Sequence, residues 1–238
     1  MKLVGERRAI AVAVMAFYGL LFTLTAFLGG TPPEQMPMMA AIGGVYVLAF
    51  FSLVAGYFWA RWYAVGVSLF GLLLGGLFLW QIGIHPVSVF VFGSHLVATL
   101  SLWGDTMAEP YDGQKAWRER FHMDESAVNR LGRSVIRAGA SLPMVLIYAL
   151  GPKPTAALAI GLVALGLTGL GMHALVRLRT WGVFALGAAG ALLLSVSATH
   201  LMVGAGPIAA VGPGLAGSLL IVAIAPFASP IMGWLARR

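Results

Sequence analysis

Cysteine is absent from the 238 residues, which excludes disulfides, thiolate metal sites, iron–sulfur clusters and thiol nucleophiles together. Charge is also scarce. Asp, Glu, Lys and Arg make up 10% of the chain, where a soluble domain carries roughly a quarter. With 60% hydrophobic residues, this composition is that of an integral membrane protein. At about 20 residues per helical crossing, eight crossings use about two thirds of the chain and leave no room for a separate soluble domain.

The apolar runs lack Asp, Glu, Lys and Arg in their middles. Proton relays, ion pumps and voltage sensors depend on such groups, so these classes are disfavoured. A retinal protein needs an intramembrane lysine, and the runs have none. No His-Glu-x-x-His helix is present for a metalloprotease, and no glycine-rich phosphate loop is followed by Lys and Ser or Thr. No carboxylate pair or nucleophile with base can be assembled from the spans, so the reading leans away from an enzyme.

What is present is a regular alternation. The apolar runs are Ala9 to Leu28, Met38 to Trp59, Tyr63 to Ile84, Pro86 to Trp103, Ser134 to Leu150, Thr155 to Val176, Trp181 to Val203 and Leu215 to Leu235. The first is longer than a signal-peptide core and lacks a clear cleavage site, so it is kept as a span. Backbone amides cannot find water in hydrocarbon, which makes these runs helices. Of the 15 Lys and Arg residues, all but Lys153 fall in every second gap. Cations flanking spans are held on the cytoplasmic side, so both termini are expected inside. The formal charge of +7 follows from this topology and does not indicate nucleic acid.

The expected fold is therefore an all-α integral membrane protein of eight transmembrane helices, N-in/C-in, in the inner (plasma) membrane. Residues 1–104 form a first four-helix half, 105–133 a cytoplasmic amphipathic linker and 134–238 a second four-helix half. In the linker, Trp117 and Phe121 are spaced to share one helical face, as in a helix lying in the headgroup layer. Arg61 followed by Trp62 and Tyr63 parallels Arg179 followed by Thr180 and Trp181. Two parallel four-helix repeats would produce that likeness, and so would convergent anchoring of two cytoplasmic hairpins. Pro143 is expected to kink the fifth span. The segment with Gly204, Gly206, Pro207, Gly212, Pro213 and Gly214 has the composition of either a loop or a broken helix lining a path.

Histidine is the titratable side chain that enters the spans. His95 lies near the middle of the fourth, beside Ser94 and one turn from Thr99. Its simplest role is a neutral imidazole bonded to a neighbouring helix. His173 and His122 fall at the inner end of a span and in the linker. His85 and His200 are expected at the outer ends of two spans, on the side of Met36, Met38, Met39 and Met202. Imidazole with thioether suits copper, and two histidines suit haem iron, so His85, His200 and then His95 are the candidate metal ligands. The polar candidates for a pathway are His95, Ser94, Thr99, Gln81 and Tyr148. They are mild groups, suited to a neutral or amphiphilic molecule. Two roles follow: a transporter-like carrier of such a molecule, or a non-catalytic subunit with a membrane-protein partner or a second copy. The alternative is a haem- or copper-binding membrane protein. The lipid bilayer is a partner in every case.

Overall fold

A computed structural model describes residues 4–107, 125–177, 179, 181–203 and 207–235, and these are helical almost throughout. The helices are α1 (Val4–Leu28), α2 (Met36–Ala55), α3 (Ala60–Ile82), α4 (Pro86–Leu102), α5 (Glu125–Leu150), α6 (Thr155–Val176), α7 (Trp181–Met202) and α8 (Pro207–Leu235), with one 3₁₀ turn at Asp105–Met107. Among the described residues, seven of them are long and apolar enough to cross a membrane. The other, α4, is an apolar helix of 17 residues with a rise of about 26 Å. The chain is thus an all-α, multi-pass membrane protein. Trp117, Phe121 and His122 lie outside the described residues, as do Gly204 and Gly206.

The chain divides into two compact units, Met1–His122 and Met123–Arg238. In the first, α1 packs on α2 and α4, and α3 packs on the same two, so four consecutive helices close a ring. In the second, α5 and α7 each pack on α6 and α8. Short connections make sequential neighbours antiparallel, which is the simplest arrangement for helices joined this way.

Both units are built inside out relative to a soluble bundle. Small residues such as Ala11, Ala49, Ala64, Ala98, Ala189 and Ala216 are fully buried, while Leu20, Phe27, Phe51, Leu100 and Phe184 are more than half exposed. Lipid is as apolar as leucine, so large side chains gain nothing by leaving it. Close backbone approach between small residues is what holds the helices. At Gly75 an added Cβ would lie 2.7 Å from the backbone of Phe92, and at Gly217 it would lie 2.8 Å from the Gly190 carbonyl oxygen.

α5 is the exception. It carries Asn129, Arg130, Arg133 and Arg137 along one side, and 61% of its membrane-length window is buried, against 28–39% for the other six. It begins at Glu125, nine residues before the apolar run starts, because its polar first turns continue directly into that run. It also continues through Pro143 to Leu150.

Cationic side chains finish the helix ends of the first unit. Arg7 Nη2 donates to the carbonyls of Leu100 (3.0 Å) and Trp103, and Arg61 donates to those of Leu102 (2.8 Å) and Gly104 (3.0 Å). Arg8 Nη2 donates to Leu53 and Val54 at 2.6 and 2.9 Å, where α2 ends at Gly56 in a left-handed conformation (φ 73°). The last carbonyls of a helix have no intrahelical donor and carry its negative dipole end, so guanidinium groups suit them doubly. Arginines that mark the cytoplasmic side in the sequence are therefore also helix caps.

Candidate functional site

Two places concentrate polar side chains, one in each unit. In the first, His95 is 1% exposed and stands on α4 facing the ring's interior. Its Nδ1 lies 2.7 Å from the Val91 carbonyl oxygen and its Nε2 lies 2.9 Å from Tyr46 Oη on α2. A carbonyl only accepts, so Nδ1 carries the proton of the neutral ring and Tyr46 donates to Nε2. Both ring nitrogens are thereby used.

Beside this pair, Tyr18 on α1 bonds Ser94 Oγ at 2.8 Å, and Ser94 in turn donates to the Phe90 carbonyl at 2.7 Å. Tyr18 packs its ring 4.3 Å from the imidazole, centroid to centroid, and Phe22 stacks on Tyr46 at 5.7 Å. Thr99 donates to the His95 carbonyl at 2.8 Å. On the α3 side the space for the imidazole exists because residue 71 is glycine: a Cβ there would lie 2.0 Å from His95 Cδ2. The cluster joins three helices, with His95, Tyr46 and Tyr18 buried and Ser94 half-buried. Its chemistry is that of a buried structural node, with each polar atom spent on a neighbour.

The second place is at the end of the second unit where α5 meets α6. A cavity of about 450 Å³ is lined by Met144, Ile147 and Tyr148 of α5, by Lys153 in the connection, by His200 of α7, and by Ala209, Gly212 and Pro213 of α8. The lining is mostly apolar, with Tyr148, Lys153 and His200 as its polar side chains. Lys153 Nζ lies 3.9 Å from the centre of the Tyr148 ring, a cation–π contact. Partial burial there holds the ammonium below the ordinary lysine pKa by desolvation.

The position of His200 follows from proline chemistry. Pro213 has no N–H, so the carbonyl of Ala209, four residues earlier, loses its helical partner. His200 Nδ1 donates to that oxygen at 3.0 Å, and Ser197 Oγ donates to the next carbonyl, Ala210, at 2.8 Å. The same device recurs 13 residues on. Pro226 orphans the Val222 carbonyl, which Arg137 Nη1 takes at 2.8 Å, while Ser134 donates to Ala223. These side-chain donors are why α8 runs unbroken from Pro207, where the composition also allowed a broken segment. With Nδ1 committed, His200 Nε2 has no partner among the described residues.

The remaining candidates are dispersed. His85 caps the N-terminus of α4: its Nδ1 accepts from the Val87 N–H at 3.3 Å, and Ser88 Oγ accepts from the His85 N–H at 3.1 Å. It lies ten residues before His95 on the same helix, a rise of about 15 Å, too far for the two to hold one ion. His85 and His200 belong to different units. Gln81 is exposed at the end of α3, and His173 is exposed on α6. No group of three or more His, Cys, Asp or Glu side chains placed to hold a metal occurs among the described residues. The sequence reading singled out His95, Ser94, Thr99, Tyr148 and His200. It did not assign Tyr18 or Lys153 to a site, although proline at 213 and the isolated cation at 153 were both visible signals.

Comparison with known proteins returns no match: no family model fits the chain, and neither a curated protein nor a solved structure is similar to it.

Proposed function

We propose that the protein is a transporter-like carrier or binding protein for a small amphiphilic molecule. It spans the inner membrane eight times with both termini cytoplasmic, α4 providing the shortest crossing. The observation that carries the functional part is the cavity of the second unit. Its volume lies within the range typical of small-molecule sites, and it combines a mostly apolar lining with a few polar groups. The positive-inside pattern supports the orientation and puts Lys153 and the cavity on the outer side. The buried His95 cluster is a scaffold element in this reading.

The binding test uses the full chain in lipid nanodiscs and a neutral photoreactive fatty alcohol. Labelling should map to the peptides around Met144 and Gly212. A Cβ at Gly212 meets nothing within 4 Å, so Gly212→Leu can extend a side chain into the cavity without disturbing α8. That variant should lose the labelling; persistence of labelling at the same peptides would refute the site. Cysteines placed in this Cys-free chain test the topology: one replacing Lys153 should react with an impermeant thiol reagent from outside, and one replacing Lys115 should not.

A further inference from the structure

We propose that the amphiphile bound in the second unit is anionic, a single-chain carboxylate whose head lies against Lys153 and His200 and whose tail occupies the apolar end of the cavity. This rests on the binding role proposed above and adds the chemical class of the ligand.

The charge distribution carries the inference. From residue 123 onwards the sequence contains two acidic residues, Asp124 and Glu125. Glu125 opens α5, whereas Tyr148 stands near its other end, 23 residues on, a rise of about 35 Å. Glu125 is therefore remote from Lys153, which makes no ion pair among the described residues. The ammonium rests on the Tyr148 ring, a contact that positions a cation without neutralising it. A partly buried positive charge with no ion pair among the described residues, on the wall of a mostly apolar cavity, favours an anionic occupant.

His200 adds a second polar contact. Its Nδ1 is fixed on the Ala209 carbonyl, so the ring orientation is set by the backbone and Nε2 is left for a ligand. Nε2 can donate to a carboxylate when the ring is an imidazolium, so the contact with the head is made in that form. Met144, Ile147 and Pro213 supply the apolar surface for the tail. A cavity of about 450 Å³ lies toward the lower end of small-molecule sites, which favours one chain over the two of a phospholipid.

The test pairs a photoreactive fatty acid with the matching fatty alcohol, both delivered in the nanodisc bilayer to the full chain. A short-chain, water-soluble acid and alcohol pair is supplied separately from the aqueous phase. The acid of at least one pair should label the cavity peptides about tenfold more efficiently than its alcohol. The pair showing that preference identifies whether the ligand arrives from the leaflet or from water. Lys153→Gln should bring acid labelling down to the alcohol level, Lys153→Arg should retain it, and Gly212→Leu should remove both. Unchanged alcohol labelling in Lys153→Gln shows that the cavity is still formed. Equal labelling by acid and alcohol in the wild type, lost in Gly212→Leu, would overturn the anionic assignment and leave the amphiphile site standing. If no probe labels the cavity, both proposals fail.

Discussion

The two units treat buried polarity in opposite ways. In the first, polar side chains from three helices meet one another: Tyr46 with His95, Tyr18 with Ser94, and Gly71 clearing the space. In the second, polar side chains serve the backbone of α8, where Pro213 and Pro226 leave carbonyls without donors. Hydrocarbon offers no water to an unpaired group, so both solutions matter, although Ser68 Oγ on α3 is buried without a hydrogen-bond partner. The first commits both ring nitrogens of His95. The second occupies only one nitrogen of His200, and that residue lines a cavity. Side chains that repair backbone thus retain capacity that side chains paired with each other do not.

Four changes would break or sharpen this contrast. The largest effect is expected at Gly71. Gly71→Leu drives a side chain into the imidazole position and should destabilise the first unit by about 3 kcal/mol or more, seen as loss of monodisperse protein in mild detergent. Survival at wild-type stability would show that His95 does not pack against α3.

Next is Tyr46→Phe, which leaves His95 Nε2 without its donor. It should lower stability by about 1–2 kcal/mol, read as a reduced melting temperature, while amphiphile labelling in the second unit persists. If that labelling disappeared while the chain stayed folded, the His95 cluster would have a role beyond scaffolding.

The proline repairs can be tested by a double-mutant cycle. Arg137→Leu should cost about 1 kcal/mol in the wild type and distinctly less in Pro226→Ala, where residue 226 regains an N–H for the Val222 carbonyl. Additive effects would mean that Arg137 acts elsewhere.

The smallest effect is on pH dependence. Because burial lowers the Lys153 pKa, the unfolded chain binds more protons than the folded one between the folded value and the ordinary lysine value. Stability should therefore rise slightly with pH across that alkaline window, and Lys153→Gln should remove the rise. A fall in the wild type would place Lys153 in a pairing that stabilises its charge.

Much of the helical architecture was legible because hydrophobic runs, glycine–proline stops and arginine positions each report on single segments. The burial of His95 was legible too, from its place within a run. Its partners were not, since Tyr46 meets His95 only through the register of two separate helices. The repairs on α8 show the same limit. Proline at 213 announces an orphaned carbonyl at Ala209, but which side chain answers it depends on α7 packing against α8. Lys153 stood out as the cation that breaks the charge alternation, yet its position over the Tyr148 ring is a property of the folded turn. Start points were blurred where polar turns run into apolar ones, as in α5, or where glycine and proline imitate a loop, as in α8.

The brevity of α4 has a mechanical consequence. Its rise of about 26 Å falls a few ångströms short of an average hydrocarbon thickness of about 30 Å. Val89, Phe90, Val97 and Leu100 are exposed on this helix, so in the proposed eight-span topology acyl chains beside it would have to shorten their reach to keep its ends wetted. The leaflets would then be pinched along one flank, which should bias the protein toward thin membranes and draw short-tailed lipids to that side.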